Sequence, residues 1–366
     1  MAIQRGARVL GAVVLSGALV AACSSSAKSP TAEPTTAEGG SSSAAVVTPS
    51  SAGAVSVEQV CAAGEKEGRF DFASSTDVSI FQEEVKPFED KYPGIKVNFS
   101  TTTPAANVQR LLTQEQANKG LGVDALTIDL PTVDPLLKRG FVTPTDWAAL
   151  GIPSDLILKL DGATMFRSQR VVLGLGYNTT KLSAADLPNT WQELVNSKWA
   201  GKVIVDPRGI YLSGLGLVWG KDQAISWFKD FMNVDKPMVV RGATASLEKV
   251  ISGEALLTTS SHDAEVREQQ AKGAPVDIKY LDVVTTQDNF SMVLKDAAHP
   301  NAATCFMAWW GSPEGQAQQL KYEFKSNDTA PKGLPSTTKL GALTDASQAG
   351  PQTEIATEFA KIVAGG

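Results

Sequence analysis

The sequence has little of what catalysis and nucleic-acid binding require. Its 366 residues include 2 histidines and 3 cysteines, and the formal net charge is -6. It contains no HExxH, CxxC, P-loop or Gly-x-Ser-x-Gly motif, so little is available for metal-assisted, nucleotide-dependent or nucleophilic catalysis. An acidic chain without a basic run also lacks the charge pattern of nucleic-acid-binding proteins. We therefore expect a protein that is not an enzyme, needs no cofactor or metal, and binds no nucleic acid.

Long apolar runs are absent beyond the first residues. Arg5 and Arg8 precede an apolar stretch, Val9–Val20, that is too short for a bilayer, which takes about 20 residues. This order is typical of a secretory signal peptide, here residues 1–22. The sequence Val20-Ala21-Ala22-Cys23 also resembles the bacterial lipoprotein box, which implies cleavage before Cys23 and its acylation. An ordinary exported protein with an incidental cysteine is the alternative.

The next segment lacks large apolar side chains. Residues 23–60 begin with the lipidated cysteine and are mostly Ser, Ala, Thr, Pro and Gly, so we expect a disordered tether. The folded part would then lie at the extracytoplasmic face of the cell membrane, held there by lipid. Two cysteines remain, Cys61 and Cys305, in a compartment where disulfides persist. The sequence leaves open whether these two cysteines form a disulfide or are two buried free thiols.

Strand-like and helix-like patterns alternate beyond the tether. Phe70 and Phe72 alternate with polar neighbours as in a strand, and Ser75 or Thr76 is expected to cap the following helix. That helix carries apolar residues at helical spacing: Val78, Phe81, Val85 and Phe88. Further apolar strands are predicted up to Ile128 and at Val203–Val205. The alternation predicts an α/β fold, whose ligands bind where loops gather at the carboxyl ends of strands.

Four stretches in order resemble the solute-binding proteins of ABC importers, in the group that binds ferric ion, thiamine, polyamines or phosphonates. They are YNTTKLSAADLPNTWQELVNSKWAGKVIVDP (177–207), SLEKVISGEALL (246–257), AKGAPVDIKY (271–280) and HPNAATCFMAWWGSPEGQ (299–316). The resemblance implies a periplasmic-binding-protein-like type II fold, with two hinged lobes that close on a small solute in the cleft between them. It also implies delivery of the solute to a membrane permease, and we expect a monomer.

The lobes follow from this fold. We expect lobe 1 to comprise residues 61–170 plus 283–325, and lobe 2 residues 171–282 plus 326–366. The hinge crossings are expected near 171–177 and 283–291, within about ten residues either way.

Four loops are expected to face the cleft, three of them before helices whose N-terminal amides favour anions. Arg208 and Arg241 are candidate bidentate clamps for a carboxylate or phosphate. The remaining candidate ligand-binding residues carry hydroxyl, phenol or carboxylate groups: Ser74, Ser75, Thr76, Asp129, Tyr177, Tyr211, Ser213 and Thr244. For the Ser and Thr residues, plain helix capping is the alternative. We expect an organic or phosphorus-containing anion as the solute.

Ferric ion is the alternative solute. The resemblance implies an adjacent pair of tyrosines as iron ligands, whereas none of the five tyrosines here is adjacent to another. The two histidines, His262 and His299, are far apart, and His299 stands where the family commonly begins a helix. Convergence of distant residues in space stays open. A sensory or adhesive surface lipoprotein with the same fold is the alternative from another functional class.

Overall fold

The computed structural model describes residues 56–117, 119–160, 162–325, 327, 333–343 and 346–365. The predicted signal peptide, Cys23 and nearly all of the predicted tether lie outside these residues. The last predicted tether residues, 57–60, are helical rather than disordered, because Ser56 and Gln59 form a capping box that starts a helix there. Among the described residues, no helix combines the length and apolar character needed to cross a membrane.

Strands and helices alternate along the chain. The strands are β1 (Arg69–Ser74), β2 (Lys96–Thr101), β3 (Ala125–Asp129), β4 (Ile157–Leu160), β5 (Ala163–Asn178), β6 (Val203–Val205), β7 (Met238–Val239), β8 (Leu257–His262), β9 (Val276–Lys279), β10 (Val283–Val293) and β11 (Lys339–Gly341). The helices are α1 (Val57–Glu67), α2 (Val78–Glu84), α3 (Lys86–Lys91), α4 (Pro104–Gln116), α5 (Leu130–Leu137), α6 (Trp191–Leu194), α7 (Leu215–Trp219), α8 (Lys221–Asp235), α9 (Ala243–Ser252), α10 (Asp263–Ala271), α11 (Pro300–Trp310), α12 (Pro313–Glu323) and α13 (Ala349–Val363). The predicted α/β class is confirmed.

The fold is built on one sheet of 11 strands. Its main path runs β2-β1-β3-β10-β5-β8-β6-β7, with β11 beside β10 and both β4 and β9 beside β5. Strands β1, β2 and β3 pair in parallel at one end, and β6, β7 and β8 pair in parallel at the other. The antiparallel pair β5 and β10 lies between these groups. The two long strands therefore connect two parallel half-sheets.

The apolar core is divided in the same way. Two clusters lie on the β1–β3 side, one built around Phe72 and Phe306 and another around Leu126. A cluster around Trp227 and Phe228 lies on the β6–β8 side, where α13 adds Phe359. The sheet and the apolar clusters are thus both divided into a β1–β3 side and a β6–β8 side. The lobe boundaries at residues 171 and 283 stay a prediction.

The first predicted helix is divided, and its predicted cap is wrong. Helix α2 ends at Glu84 and α3 begins at Lys86, because Pro87 lacks the N–H that a continuous helix would use. The N-cap of α2 is Asp77, whose carboxylate accepts from the Ser79 amide at 2.8 Å. Neither Ser75 nor Thr76 caps this helix.

A disulfide joins Cys61 in α1 to Cys305 in α11, with their Cα atoms 4.9 Å apart. Both cysteines are buried in the cluster around Phe72 and Phe306. The bond connects the first described helix to a core helix 244 positions further along the chain. It thereby stabilises the β1–β3 side of the sheet.

Candidate functional site

A cavity of about 470 Å³ lies beside strands β5 and β10. Sites for small organic molecules span about 300–1000 Å³. One wall comes from the β1–β3 side and consists of Thr103, Pro104, Ala105, Asp129 and Thr132. The opposite wall, called the arginine wall below, consists of Arg208, Ile210, Tyr211, Ser213 and Arg241.

Two further segments close the cavity. Its floor is formed by Leu173 of β5 and by Thr286, Gln287 and Asp288 of β10. The remaining side comes from the C-terminal part of the chain: Leu343, Gln352, Thr353 and Ala356. The cavity therefore lies where both half-sheets, the connecting strands and helix α13 meet.

Asp206 organises the arginine wall. It directly follows β6 and is 2% exposed. Its carboxylate accepts from Arg208 Nε at 2.9 Å and Nη2 at 2.8 Å, and from the Arg208 amide at 2.8 Å. It also accepts from the Gly242 amide at 2.7 Å, next to Arg241. One carboxylate thus holds together the two loops that carry the arginines.

The charge of Asp206 is retained despite burial. Burial acts to raise its pKa, but hydrogen bonds from Arg208 and from the Gly242 amide outweigh it. The pKa of Asp206 therefore lies below its ordinary value, and the carboxylate is ionised at neutral pH. The Arg208 guanidinium stays paired with it.

Tyr211 completes the arginine wall. Its hydroxyl accepts from Arg208 Nη2 at 3.0 Å, and its backbone carbonyl accepts from the Thr285 hydroxyl at 2.6 Å. Burial raises the pKa of the Tyr211 phenol above its ordinary value. The phenol therefore keeps its proton at neutral pH and presents a neutral polar group to the cavity.

The two arginines differ in how much of their charge is available. Arg208 is bound on one side by Asp206, and its side chain is 33% exposed. Arg241 is exposed, and its guanidinium has no hydrogen bond or ion pair with any residue that the structure describes. Arg241 is thus a cation at the cavity without a partner among the described residues, while Arg208 is held in position by Asp206.

The floor contains a neutralised carboxylate. Asp288 is 7% exposed and accepts from Arg170 Nε at 3.0 Å and Nη2 at 2.7 Å. A second arginine, Arg167, lies 3.8 Å from the same carboxylate. These pairs join β5 to β10 directly beneath the cavity. The floor consequently adds little net negative charge.

Gly209 permits the close approach of the arginine wall to α13. Its φ is +68°, and a Cβ there would lie 2.6 Å from both the Ala356 carbonyl oxygen and Phe359 Cβ. Only a residue without a side chain fits this position. Gly209 thus determines where Arg208 and Ile210 stand relative to the helix.

Gly209→Ala should therefore destabilise the protein more than a matched glycine replacement. Gly201 has a similar φ of +71° but no atom within 4 Å of its would-be Cβ. We expect Gly201→Ala to cost about 1–2 kcal/mol of unfolding free energy from backbone strain. Gly209→Ala should cost a further ~1–3 kcal/mol from overpacking. Denaturant unfolding measures both, and equal losses would show that the contact with α13 is unimportant.

Five of the ten predicted ligand-binding residues line the cavity: Asp129, Arg208, Tyr211, Ser213 and Arg241. The structure does not bring the other five to it. Ser75 and Thr244 are exposed but do not line the cavity. Tyr177 is 5% exposed and packs in the cluster around Trp227, with its hydroxyl 3.4 Å from an Asp277 carboxylate oxygen.

The remaining two, Ser74 and Thr76, belong to a buried polar network. The Ser74 hydroxyl accepts from the Thr76 amide at 3.1 Å, and the Thr76 hydroxyl donates to Glu323 at 3.2 Å. Lys325 also donates to Glu323 at 2.7 Å. Burial and the neighbouring Glu323 charge raise the pKa of Glu84 to about 9. The hydrogen bonds join the end of β1 to α12, with Glu84 of α2 buried beside them. Ser74 and Thr76 therefore have a structural role.

The tyrosines and histidines do not converge. Of the five tyrosines, all of which are described, Tyr211 alone lines the cavity. His262 lies behind it with ring centroids 5.4 Å apart, and burial lowers the pKa of His262 to about 4. His299 stands at the N-cap of α11, but its Nδ1 lies 3.0 Å from Asp124 Oδ2. Folding therefore does not bring these tyrosines and histidines together at the cavity.

The carboxylates and histidines of the described residues give one possible metal-binding group, Asp71, Asp124 and His299. It lies outside the cavity. Asp124 already accepts from the Asp71, Ala298 and His299 amides at 2.9, 2.6 and 3.2 Å. These hydrogen bonds give the group a structural role at the start of α11.

Sequence reasoning missed several residues that build the cavity. Asp206 carried a detectable signal, because it directly follows the buried strand Val203–Val205 and precedes a candidate arginine. Gln352 carried none, since it lies in the helical pattern of α13. Thr286 and Asp288 lie in the predicted hinge crossing but have no pattern of their own.

Comparisons with known proteins bear on the fold. A Trichodesmium structure, IdiA (FutA) in complex with iron and citrate ligands, is similar with a TM-score of 0.63 and 18% identity, over 80% of this chain and 99% of that chain. The AfuA structure from Actinobacillus pleuropneumoniae, with exogenous fructose-6-phosphate bound, has a TM-score of 0.62 and 18% identity, over 81% and 98%. These likenesses confirm the predicted two-lobed type II periplasmic-binding fold.

A curated relative is also detected by sequence. Iron uptake protein A1 of Synechocystis sp. (strain PCC 6803) is 27% identical over 173 residues. The match covers 46% of this chain and 47% of that protein, about half the length of the relative.

A family model matches residues 83–327, a range that holds β2 to β10 and both arginine-bearing loops. Its description is bacterial extracellular solute-binding protein. The matched range, the fold and the cavity between two half-sheets agree: this chain belongs to the bacterial extracellular solute-binding protein family.

Proposed function

We propose that this protein binds a small organic anion in the cavity and delivers it to an ABC permease. The observation that carries the proposal is the arginine wall, where Arg241 has no partner among the described residues and Asp206 holds Arg208 beside it. Two guanidinium groups on one wall provide planar donors for a carboxylate or phosphate.

The cavity volume supports an organic solute. At about 470 Å³ it is far larger than a single ion needs, since one water occupies about 30 Å³ of liquid. Leu173, Ile210 and Leu343 add apolar surface to the walls. The cavity thus suits a molecule with a carbon skeleton and an anionic group.

Closure on the ligand follows from the same geometry. One wall comes from the β1–β3 side and the arginine wall from the β6–β8 side, with β5 and β10 between them. A ligand that contacts both walls favours the closed state by its differential affinity for the two states. The permease would then recognise the closed protein. We propose that the binding protein is monomeric and that Cys23 anchors it to the extracytoplasmic face of the membrane.

Ferric ion is the second candidate, favoured by the relatives. The curated relative is named an iron uptake protein, and the Trichodesmium structure is in complex with iron and citrate ligands. The donor set of this cavity supports it less. Its acids and phenols are Asp129, Asp288 and Tyr211; Asp288 is paired with arginines and Tyr211 accepts from Arg208. Hard cations such as ferric ion prefer several anionic oxygen ligands.

Native mass spectrometry of the exported protein, purified without added ligand, tests the proposal. A bound mass that fits an organic or phosphorus-containing anion is the expected result. A bound mass that fits ferric ion, with or without a small anion such as citrate, would replace the proposal with the second candidate. Titration with ferric citrate then distinguishes tight metal binding from adventitious iron.

Arg241→Ala should weaken binding of the anion so identified by about 1.5–3 kcal/mol, the strength of a hydrogen bond to a charged group. This corresponds to roughly a 10- to 150-fold higher Kd by isothermal titration calorimetry. Because Arg241 has no structural partner among the described residues, stability should be unchanged. Arg69→Ala, an exposed arginine outside the cavity, is the matched control. An unchanged Kd in Arg241→Ala would remove this arginine from the site.

A further inference from the structure

Two residues that line the cavity each have a side-chain oxygen that accepts no hydrogen bond from any described residue. Gln352, in the first turns of α13, is 8% exposed and its Oε1 has no hydrogen-bond partner in the described residues. Asp129 caps α5 through Oδ1, which accepts from the Thr132 amide at 3.0 Å and its hydroxyl at 2.6 Å. Oδ2 of Asp129 accepts no hydrogen bond from any described residue. Gln352 Oε1 is buried, and a buried acceptor without a donor is costly. Asp129 is only half-buried, so its Oδ2 remains open to a hydrogen-bond donor of a ligand.

Asp129 differs from the other carboxylates of the site. Asp206 is paired with Arg208 and Asp288 with Arg170, at 2.8 and 2.7 Å. Asp129 has no ion pair with a described residue and lines the wall opposite the arginines. An anion without donor groups would experience only repulsion from it, whereas a ligand with O–H or N–H groups would bind it.

We infer that Asp129 and Gln352 form a second subsite, which binds hydrogen-bond donors of the ligand while the arginine wall binds its anionic group. The inference rests on the proposed function and narrows it: the ligand is an anion that also carries hydroxyl or ammonium groups. Thr103, Thr286 and Thr353 add further hydroxyl groups around the same cavity. The subsite unites the N-terminus of α5 with α13, two elements far apart in sequence.

Matched probe pairs test the subsite. Glucitol 6-phosphate and hexyl phosphate share a six-carbon chain and a phosphate, but only the first carries free hydroxyls. Aminoethyl phosphate and ethyl phosphate differ in the same way by an ammonium group. We expect the donor-bearing member of at least one pair to bind the full exported protein about tenfold or more tightly, as one or two net hydrogen bonds provide. Isothermal titration calorimetry measures all four.

Two variants assign the effect to the subsite. Gln352→Leu keeps the side-chain size and removes the amide, and it should reduce the preference for glucitol 6-phosphate several-fold. Asp129→Asn keeps the helix cap and removes the charge, so it should abolish a preference for aminoethyl phosphate and weaken one for hydroxyls less. Asp77→Asn is the matched control, because Asp77 caps α2 through the Ser79 amide and hydroxyl in the same way but lies outside the cavity.

The outcomes separate the subsite from the proposed function. A preference within one pair that is lost in these variants supports the subsite and identifies hydroxyl or ammonium donors. Equal binding within both pairs, still weakened by Arg241→Ala, would overturn the subsite and leave the anion proposal standing. A preference that both variants retain would also overturn it. No binding by any of the four probes would overturn the subsite, and native mass spectrometry would then decide the anion proposal separately.

Discussion

Asp206→Ala should remove most of the affinity of the cavity for its anion. The carboxylate positions Arg208 through two side-chain hydrogen bonds and the Arg241 loop through the Gly242 amide. Without it, the Arg208 side chain loses its fixed position, and the loop that carries Arg241 loses the hydrogen bond from its Gly242 amide. Losing two positioned charged hydrogen bonds corresponds to a roughly hundredfold or greater rise in Kd. Calorimetry with the natural ligand measures it.

Stability should fall in the same variant, by about 2–4 kcal/mol, because the hydrogen bonds to a buried charge are lost. The orphaned Arg208 side chain is 33% exposed, so water compensates part of the loss. Asp206→Asn keeps one acceptor oxygen, which can serve either the Arg208 amide or the Gly242 amide, and should give an intermediate result. Full affinity in a folded Asp206→Ala protein would contradict the organising role of this residue.

The double variant Cys61→Ala/Cys305→Ala should lose about 3–5 kcal/mol of unfolding free energy while keeping its ligand affinity. The disulfide closes a loop with a sequence separation of 244, and the chain-entropy account gives roughly 5 kcal/mol for so long a loop. Observed losses for native disulfides are typically about 2–5 kcal/mol. Denaturant unfolding with and without a reducing agent measures the change.

Both cysteines belong to the cluster around Phe72 and Phe306, and neither lines the cavity. Reduction of the natural protein is the matched control, since it should reproduce the stability loss of the double variant. Equal unfolding free energies for the oxidised protein and the double variant would show that the bond contributes little. A change in Kd would show that the disulfide acts on the site.

Short strands and the loops that follow them were predictable from the sequence. The strand ending at Asp129 and the strand Val203–Val205 are short apolar runs followed by polar loops, and they deliver Asp129 and Arg208 to the cavity. A loop at the carboxyl end of a strand is a common ligand-binding position, and this rule needs no tertiary information. The same rule nominated Arg241.

For Tyr177, the rule that ligand-binding residues lie at the carboxyl ends of strands gave a wrong placement. Tyr177 lies at the end of β5, beside a register shift between Gly174 and Gly176 in the pairing with β8. The extra residue of this shift lies in β8, and residues 171–178 of β5 are all buried. A strand that is buried on both faces has no alternation of buried and exposed positions, so sequence does not tell which face Tyr177 occupies. It packs in the core, in the cluster around Trp227.

Long-range partners were equally invisible to sequence. Thr76 follows a strand as the rule requires, yet its hydroxyl donates to Glu323, 247 positions away. Gln352 reaches the cavity because α13 packs across the Gly209 loop. Pairings of this separation depend on the assembled tertiary structure rather than on any local pattern.

The residues that line the cavity run from Thr103 to Ala356 in the chain, and no short segment supplies more than one side of it. A nascent or partly exported polypeptide that still lacks α13 therefore has an incomplete site. The solute stabilises only the assembled molecule, by an amount set by its concentration relative to Kd. Solute in the medium would thus protect mature copies from proteolysis and leave chains still in export unprotected.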